Sequence, residues 1–226
     1  VWKHAPETMR PFSRFLDAKF MPEAVKIADK VIAVSESTAQ DLFKEVSGII
    51  EKTEINYESS SILTEFLEDF VGIEGNYFLF VGTLEPRKNL RRLLEAYSLL
   101  SDSIRGKYSL IIVGGKGWGN EDVYSIIEKL DIKKNVKVLG YLSDKKLAGI
   151  YNNAHLLLMP SLYEGFGLPL LESMNFGIPI VTSNTSSMPE IAGNAAVYVD
   201  PRNSITIKDG IEELIMDHKL WKKLSK

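Results

Sequence analysis

Two carboxylates and a run of cations are the residues through which this sequence can do chemistry. Glu164 and Glu172 stand eight positions apart in "PSLYEGFGLPLLESMNFGIPIV", a stretch otherwise made of apolar residues, glycines and prolines. A second stretch, "FVGTLEPRKNLRRLLEAY", holds Arg87, Lys88, Arg91 and Arg92. Carboxylates accept hydrogen bonds from hydroxyl pairs, whereas guanidinium and ammonium groups take phosphates. A nucleotide sugar offers both. Taken singly, each group also has an ordinary structural explanation. Glu172 suits a helix dipole, Glu164 suits nearby loop amides, and the basic run makes a solvated cluster with Glu85 and Glu95.

The spacing says how these groups are held. Pro169 fits the first position of a helix, which sets Glu172 about one turn inside it and leaves Glu164 in the preceding loop. Gly165 and Gly167 allow backbone to approach a ligand, and the N–H groups of Phe166, Gly167 and Leu168 can turn towards oxygen atoms. The basic run follows an apolar strand and opens a helix, with Asn89 as the expected N-cap and Pro86 stiffening the approach. Cations in a first helical turn are disfavoured by about 0.3–1 kcal/mol each, so an anion there has something to offset.

The elements behind these loops are readable from Tyr77 onward. The runs "YFLFVG", "YSLIIVG", "VKVLG", "HLLLMP", "IPIVTS" and "AAVYVD" alternate with stretches of helical length at Leu90 to Leu100, Glu121 to Leu130, Asp144 to Asn153, Pro169 to Phe176, Met188 to Ala192 and Ile205 to His218. Strands that are apolar throughout are buried on both faces of a parallel sheet. The expected fold is therefore α/β, a doubly wound, Rossmann-like, six-stranded parallel sheet. The first ~60 residues give one α-β-α piece around "KVIAVS", with a helix capped from the Ser35 to Thr38 cluster, and this is too small for its own core. Its apolar face, including Phe12, Phe15, Phe20 and Val25, is expected to lie exposed, mobile or packed on another molecule. The polar run at Asn56 to Ser61 is the linker candidate, dividing the chain into 1–58 and 59–226.

Composition narrows the function. A net charge of −3 argues against a nucleic-acid surface. The absence of cysteine excludes disulfides and thiolate metal sites. No apolar run approaches the ~20 residues of a membrane span and no signal peptide is visible, so the chain reads as soluble and cytoplasmic. It opens at Val1 and closes on "LWKKLSK", which reads as an excerpt of a longer protein.

Four segments, "VGTLEPRKN", "GYLSDKKL", "EGFGLPLLE" and "SNTSSMPEIAGNAAVYVDP", occur in the order found in the C-terminal lobe of retaining glycosyltransferases of GT-B architecture, which residues 73–226 resemble. The earlier "ADKVIAVSESTAQDLF" is similar to the end of that family's N-terminal, acceptor-binding lobe. The resemblance implies that Arg87 and Lys88 hold the donor diphosphate and stabilise the leaving group. It implies that Glu164, with backbone at Phe166 and Gly167, binds the transferred sugar, that Leu168 N–H reaches the diphosphate, and that Glu172 binds ribose. Leu142 would meet the base through its main chain, and Gly82 belongs to the donor loop. Asp144 would also see the base, although "SDKKL" reads more readily as a helix cap. The implied donor is a nucleoside diphosphate sugar, possible products being mannosides or glucosides, with a saccharide or lipid-linked acceptor, no nucleic acid, no metal, and a peripheral membrane contact through the missing lobe. No D-x-D pair suggests a metal. The rival readings are a non-catalytic nucleotide-sugar module or subunit, and a sugar-nucleotide epimerase.

Three weaker signals complete the reading. The glycines of "VGGKGWGNED" fit neither G-x-G-x-x-G nor a P-loop and mark a turn, with Gly115 or Trp118 as a minor candidate for the rim of a substrate cleft. Glu190 in "MPEIAG" is expected to tie down its own loop through backbone amides. His155 opens a buried strand and reads as structural.

Overall fold

The computed structural model of the chain describes residues 3–60, 62, 73–118 and 122–225. Near the N-terminus, α1 (Pro11–Ile27), β1 (Val31–Ala33), α2 (Glu36–Glu45) and β2 (Thr53–Ile55) form a small unit in which β1 and β2 pair in parallel. α2 starts where Ser35 Oγ accepts from Thr38 N at 3.0 Å, the cap expected from the Ser/Thr cluster. β2 adds to the expected α-β-α piece, because three residues with a single apolar side chain give no periodicity to read. Phe12, Phe15 and Phe20 are exposed, Phe12 by 72%. Val25 departs from the expected exposed face, since α1 turns it inward against Val46 and Ile49.

The larger unit runs from β3 (Asn76–Val81) through α3 (Leu90–Ser98) and α4 (Asp102–Lys107) to β4 (Tyr108–Val113), and through α5 (Val123–Lys129) to β5 (Val136–Gly140). α6 (Asp144–Asn153), β6 (Leu156–Met159), α7 (Leu168–Asn175), β7 (Ile180–Ser183), α8 (Met188–Ala192), β8 (Ala196–Val199), α9 (Ser204–Met216) and α10 (His218–Leu224) follow. All six expected strands lie in one parallel sheet of order β5-β4-β3-β6-β7-β8. Along β3, Phe78 and Phe80 enter the core beneath α3, α5 and α9, while Tyr77, Leu79 and Val81 enter the opposite core beneath α6 and α7. Burial of alternate residues on two faces is why the strand sequence is apolar throughout.

Helix ends follow their caps. The expected single helix from Ile205 to His218 breaks at Asp217, whose Oδ1 accepts from Lys219 N and Leu220 N at 2.9 Å each and starts α10. α4 was not foreseen; Ser101 caps it through Ile104 N. Ser61 of the linker, Gly119 and Glu121 lie outside the described residues. Among the described residues, no helix is long and apolar enough to cross a membrane.

The order of the strands places the site. From β3 the chain builds outward to β4 and β5, then returns to lay β6 on the other side of β3. Ligands of open α/β sheets bind at the carboxyl ends of strands where the winding reverses. Here that is the junction of the β3–α3 and β6–α7 loops, the two segments that carry the cations and the glutamates.

Candidate functional site

The β3–α3 loop begins at Gly82, whose φ is +153° and over which the Lys88 side chain lies; a Cβ there would meet Lys88 Cε at 3.3 Å. A short 3-10 turn, Pro86–Lys88, follows and is closed by Asn89 at φ 60°. Asn89 occupies the cap position of α3 but makes no capping bond, contrary to expectation. Its amide donates instead to Pro160 O at 2.8 Å and Pro201 O at 2.6 Å, stitching the basic loop to two others. Leu162 N also donates to Arg87 O at 2.9 Å. The four basic residues therefore divide. Arg91 pairs with Glu95 at 3.0 Å on the surface and Arg92 bonds Asn89 Oδ1 at 3.1 Å, while Arg87 and Lys88 turn inward.

Both inward cations meet Glu164, a carboxylate only 5% exposed. Lys88 Nζ lies 2.7 Å from Glu164 Oε1, and Arg87 Nη1 pairs with Oε2. Arg87 also donates to Tyr163 O at 2.9 Å and to Glu85 Oε1 at 2.6 Å. Burial works against the Arg87 charge, and Glu164 and then Glu85 outweigh it, so its pKa is raised. Oε1 of Glu164 is buried and meets Lys88 as an ion pair without an aligned hydrogen bond. Two cations and two carboxylates thus form one network in which Glu164 fixes the directions of Arg87 and Lys88.

The Glu164 loop is fastened from both sides. Ser186 Oγ accepts from Glu164 N at 3.1 Å, and Ser187 Oγ lies 3.1 Å from Glu164 O and 2.8 Å from Phe166 O. Ser35 Oγ and Thr38 Oγ1 reach Gly165 O at 2.7 and 2.9 Å. Gly167 sits at φ +110°, a backbone conformation that L side chains rarely adopt, which is what calls for glycine here. α7 then starts at Leu168, one residue before the expected Pro169, because Gly167 holds the cap position. Glu172 is the fifth residue of α7 and is 8% exposed. Tyr151 donates its hydroxyl to Glu172 Oε2 at 2.7 Å. Burial raises the Glu172 pKa and Asp144 adds to this, while Tyr151 and Lys88 oppose it.

The expected site residues are thereby gathered at the carboxyl end of the sheet, around β3 and β6. Arg87, Lys88 and Glu164 touch directly, Gly82 lies beneath Lys88, Glu172 senses both Lys88 and Asp144, and Phe166 to Leu168 join Glu164 to α7. Leu142 is half-buried on the neighbouring β5–α6 connection, packed against the core. The helix start read in "SDKKL" is present, with Ser143 at the cap position of α6, without a side-chain bond, and Asp144 in the first turn. Glu85 and Glu95 pair with Arg87 and Arg91, as the sequence suggested for the basic run, whereas Tyr151, Ser186 and Ser187 carry only the sequence signals of ordinary helix and loop residues.

The remaining signals also find their places. Glu190 bonds amides, but those of Glu36 and Ser37 at the start of α2, at 2.7 and 2.8 Å, rather than of its own loop. The segment is turned so that the carboxylate meets the unpaired N–H groups of another helix. The described part of the glycine-rich loop after β4, residues 114–118, carries no assigned turn and instead bridges to the basic loop through Lys116 and Leu84. His155 stacks on Trp221 at 5.2 Å, and burial, then Lys107 and His218, lower its pKa to about 4, as a structural histidine.

Comparison with known proteins agrees with the four segments. The family model described as "Glycosyl transferases group 1" matches residues 67–226, and the chain belongs to that family. An O-antigen chain mannosyltransferase B of Escherichia coli is 40% identical over 149 residues, covering 66% of this chain and 39% of that protein. A serotype-specific mannosyltransferase WbdA of the same organism is 29% identical over 211 residues, covering 87% of this chain and 26% of that one. The chain thus spans well under half the length of these relatives. The solved structure of Anabaena HepE in complex with UDP and glucose superposes with a TM-score of 0.82 at 20% identity, covering 98% of this chain and 62% of that chain. At that identity the likeness concerns the fold, and it agrees with the doubly wound lobe of a GT-B architecture.

Proposed function

We propose that the chain is the donor-binding part of a glycosyltransferase that moves a sugar, mannose in the first instance, from a nucleoside diphosphate sugar to a saccharide or lipid-linked acceptor. The observation that carries this reading is the meeting of Arg87, Lys88 and Glu164 where the winding of the sheet reverses. Residues 1–58 are assigned to the lobe that binds the acceptor and 59–226 to the donor lobe, and the mannosyltransferase relatives favour the sugar.

In this reading the diphosphate lies against Arg87, Lys88 and Leu168 N–H, with Gly82 leaving room for it. The transferred sugar lies at Glu164 and the backbone of Phe166 and Gly167, the ribose at Glu172, and the base at Leu142 and Asp144. The bond from the anomeric carbon to the phosphate oxygen breaks. The acceptor oxygen bonds that carbon from the same face, and its proton passes to the departing diphosphate. Charge developing on the phosphate is met by the two fixed cations, the role that preorganised donors fill best. Because these cations supply the charge, the reaction is proposed to need no metal, and because attack is from the same face it is proposed to retain anomeric configuration.

The test is a thermal-shift panel of nucleoside diphosphates and their sugars, since a ligand of the folded state raises its stability. One diphosphate with its matching sugar nucleotide should raise the melting temperature, and a flat panel would reject the donor site. In an enzyme completed by an acceptor lobe, transfer should persist with a chelator and give product of unchanged configuration by NMR. A non-catalytic module would bind the donor with no transfer under any of these conditions, a reading kept open by the short span of the chain against its relatives. An epimerase would form product without an acceptor.

A further inference from the structure

The glycine-rich loop after β4 takes no part in the donor site, yet it is built against it. A Cβ at Gly114 would meet Gly82 O at 1.9 Å, and one at Gly117 would meet Leu84 O at 2.4 Å. Only glycine lets these two loops lie so close. Leu84 N also donates to Gly115 O at 3.0 Å. The residue after Gly117 is Trp118, set by this contact on the wall of a cleft of about 870 Å³ between residues Glu7–Pro11 and the starts of α3 and α5. An adjoining hollow of about 440 Å³ shares Trp118 and Glu85 with that cleft and reaches Arg87. Arg87 stands between two carboxylates, Glu164 on the proposed donor side and Glu85 on the cleft side.

We infer that this cleft is a subsite for the acceptor saccharide, with the Trp118 indole as its platform and Glu85 as a partner for its hydroxyls; the inference rests on the donor reading above. An indole packs against the apolar C–H face of a pyranose ring, while carboxylates and guanidinium groups take the hydroxyls around its edge. The cleft has the size of ligand pockets in general. The Arg10 guanidinium lies 5.7 Å over the Trp118 ring, a flat polar group in the place a sugar would occupy, and it yields to the saccharide. A saccharide so placed lies beside Arg87, the group that holds the departing diphosphate in the donor reading.

The experiment is a titration of the chain with mannobiose, followed by saturation-transfer NMR of the saccharide, with nucleoside diphosphate affinity measured separately by calorimetry. Trp118→Ala should weaken mannobiose by about tenfold or more and leave the diphosphate affinity unchanged, while Trp118→Phe keeps most of the saccharide binding. Because Trp118→Ala removes a packed ring, the indole N–H resonance of Trp118 in the unaltered chain gives a second reading and should shift saturably with mannobiose. Absence of saccharide binding, binding untouched by Trp118→Ala, or a Trp118 shift caused by inorganic pyrophosphate rather than mannobiose would overturn the subsite. Saccharide binding at Trp118 in a chain that binds no nucleoside diphosphate would support the subsite and reject the donor reading.

Discussion

Lys88 Nζ lies 2.7 Å from Oε1 of Glu164, joining the loop after β3 to the loop after β6. With Arg87 on the other oxygen, this carboxylate is the counter-charge of both cations proposed to receive a diphosphate. Removing it should expose that dependence. Glu164→Ala leaves two largely buried cations without their shared partner, a loss of about 3–5 kcal/mol where a buried pair is broken. Urea unfolding should show such a loss without ligand, and a saturating nucleoside diphosphate should restore part of it by supplying anionic oxygens. A loss of the same size with and without the nucleotide would separate these cations from the diphosphate.

Glu172 makes the opposite prediction for stability. Its pKa is raised in the fold, chiefly by burial, so folding favours the protonated form. The stabilising contribution is complete at pH below the unfolded carboxylate value and is lost as pH rises through the folded one. At neutral pH the charge is therefore a burden on the fold. Glu172→Gln keeps an acceptor for the Tyr151 hydroxyl, and it should raise the melting temperature at neutral pH while weakening a nucleoside diphosphate by roughly tenfold. A lowered melting temperature with unchanged affinity would make Glu172 a structural residue.

The six strands could be read from the sequence because each is a mostly apolar run, and the four inner ones, β4, β3, β6 and β7, are buried on both faces, as β3 illustrates, while the edge strands β5 and β8 are only partly buried. β2, α4 and α10 could not, since they are short and depend on local capping by Ser101 or Asp217 or on pairing with β1. The site was half visible. Charged residues stand out in an apolar, glycine-rich stretch, which drew attention to Glu164 and Glu172. Their partners are set by the approach of loops as much as 77 residues apart, as for Arg87 and Glu164. Asn89 shows the same limit: its type and position suggest a helix cap, and only the neighbouring Pro160 and Pro201 carbonyls make it a stitch.

His155 should govern part of the acid sensitivity. Its pKa is lowered from 6.5 to about 4 in the fold, mainly by burial. The unfolded chain therefore binds the proton first, so stability present above pH 6.5 drains away as pH falls towards about 4. His155→Gln should start less stable, having lost the ring stacked on Trp221, and its melting temperature should fall less steeply across that window. Parallel curves for the two proteins would assign the acid loss to other groups.

Glu190 ties the N-terminal unit to the site loop's neighbour through the amides of Glu36 and Ser37. Glu190→Ala should speed hydrogen exchange at these two amides by about tenfold, the worth of a hydrogen bond to a charged acceptor. Ser35 and Thr38 still hold Gly165 O in the variant, so exchange in α7 should change little. Unaltered rates at Glu36 and Ser37 would mean that the contact does not persist in solution.

The central claim is that Arg87 and Lys88 are the diphosphate-binding pair, and calorimetric titration of a nucleoside diphosphate into Lys88→Ala addresses it most directly. Arg87 still meets Glu164 in that variant, so the carboxylate keeps a partner and the fold should remain near its original stability. Affinity should be weaker by roughly 1.5–3 kcal/mol, the range for hydrogen bonds to charged groups. An affinity equal to that of the unaltered chain, in a variant of unaltered stability, would contradict it.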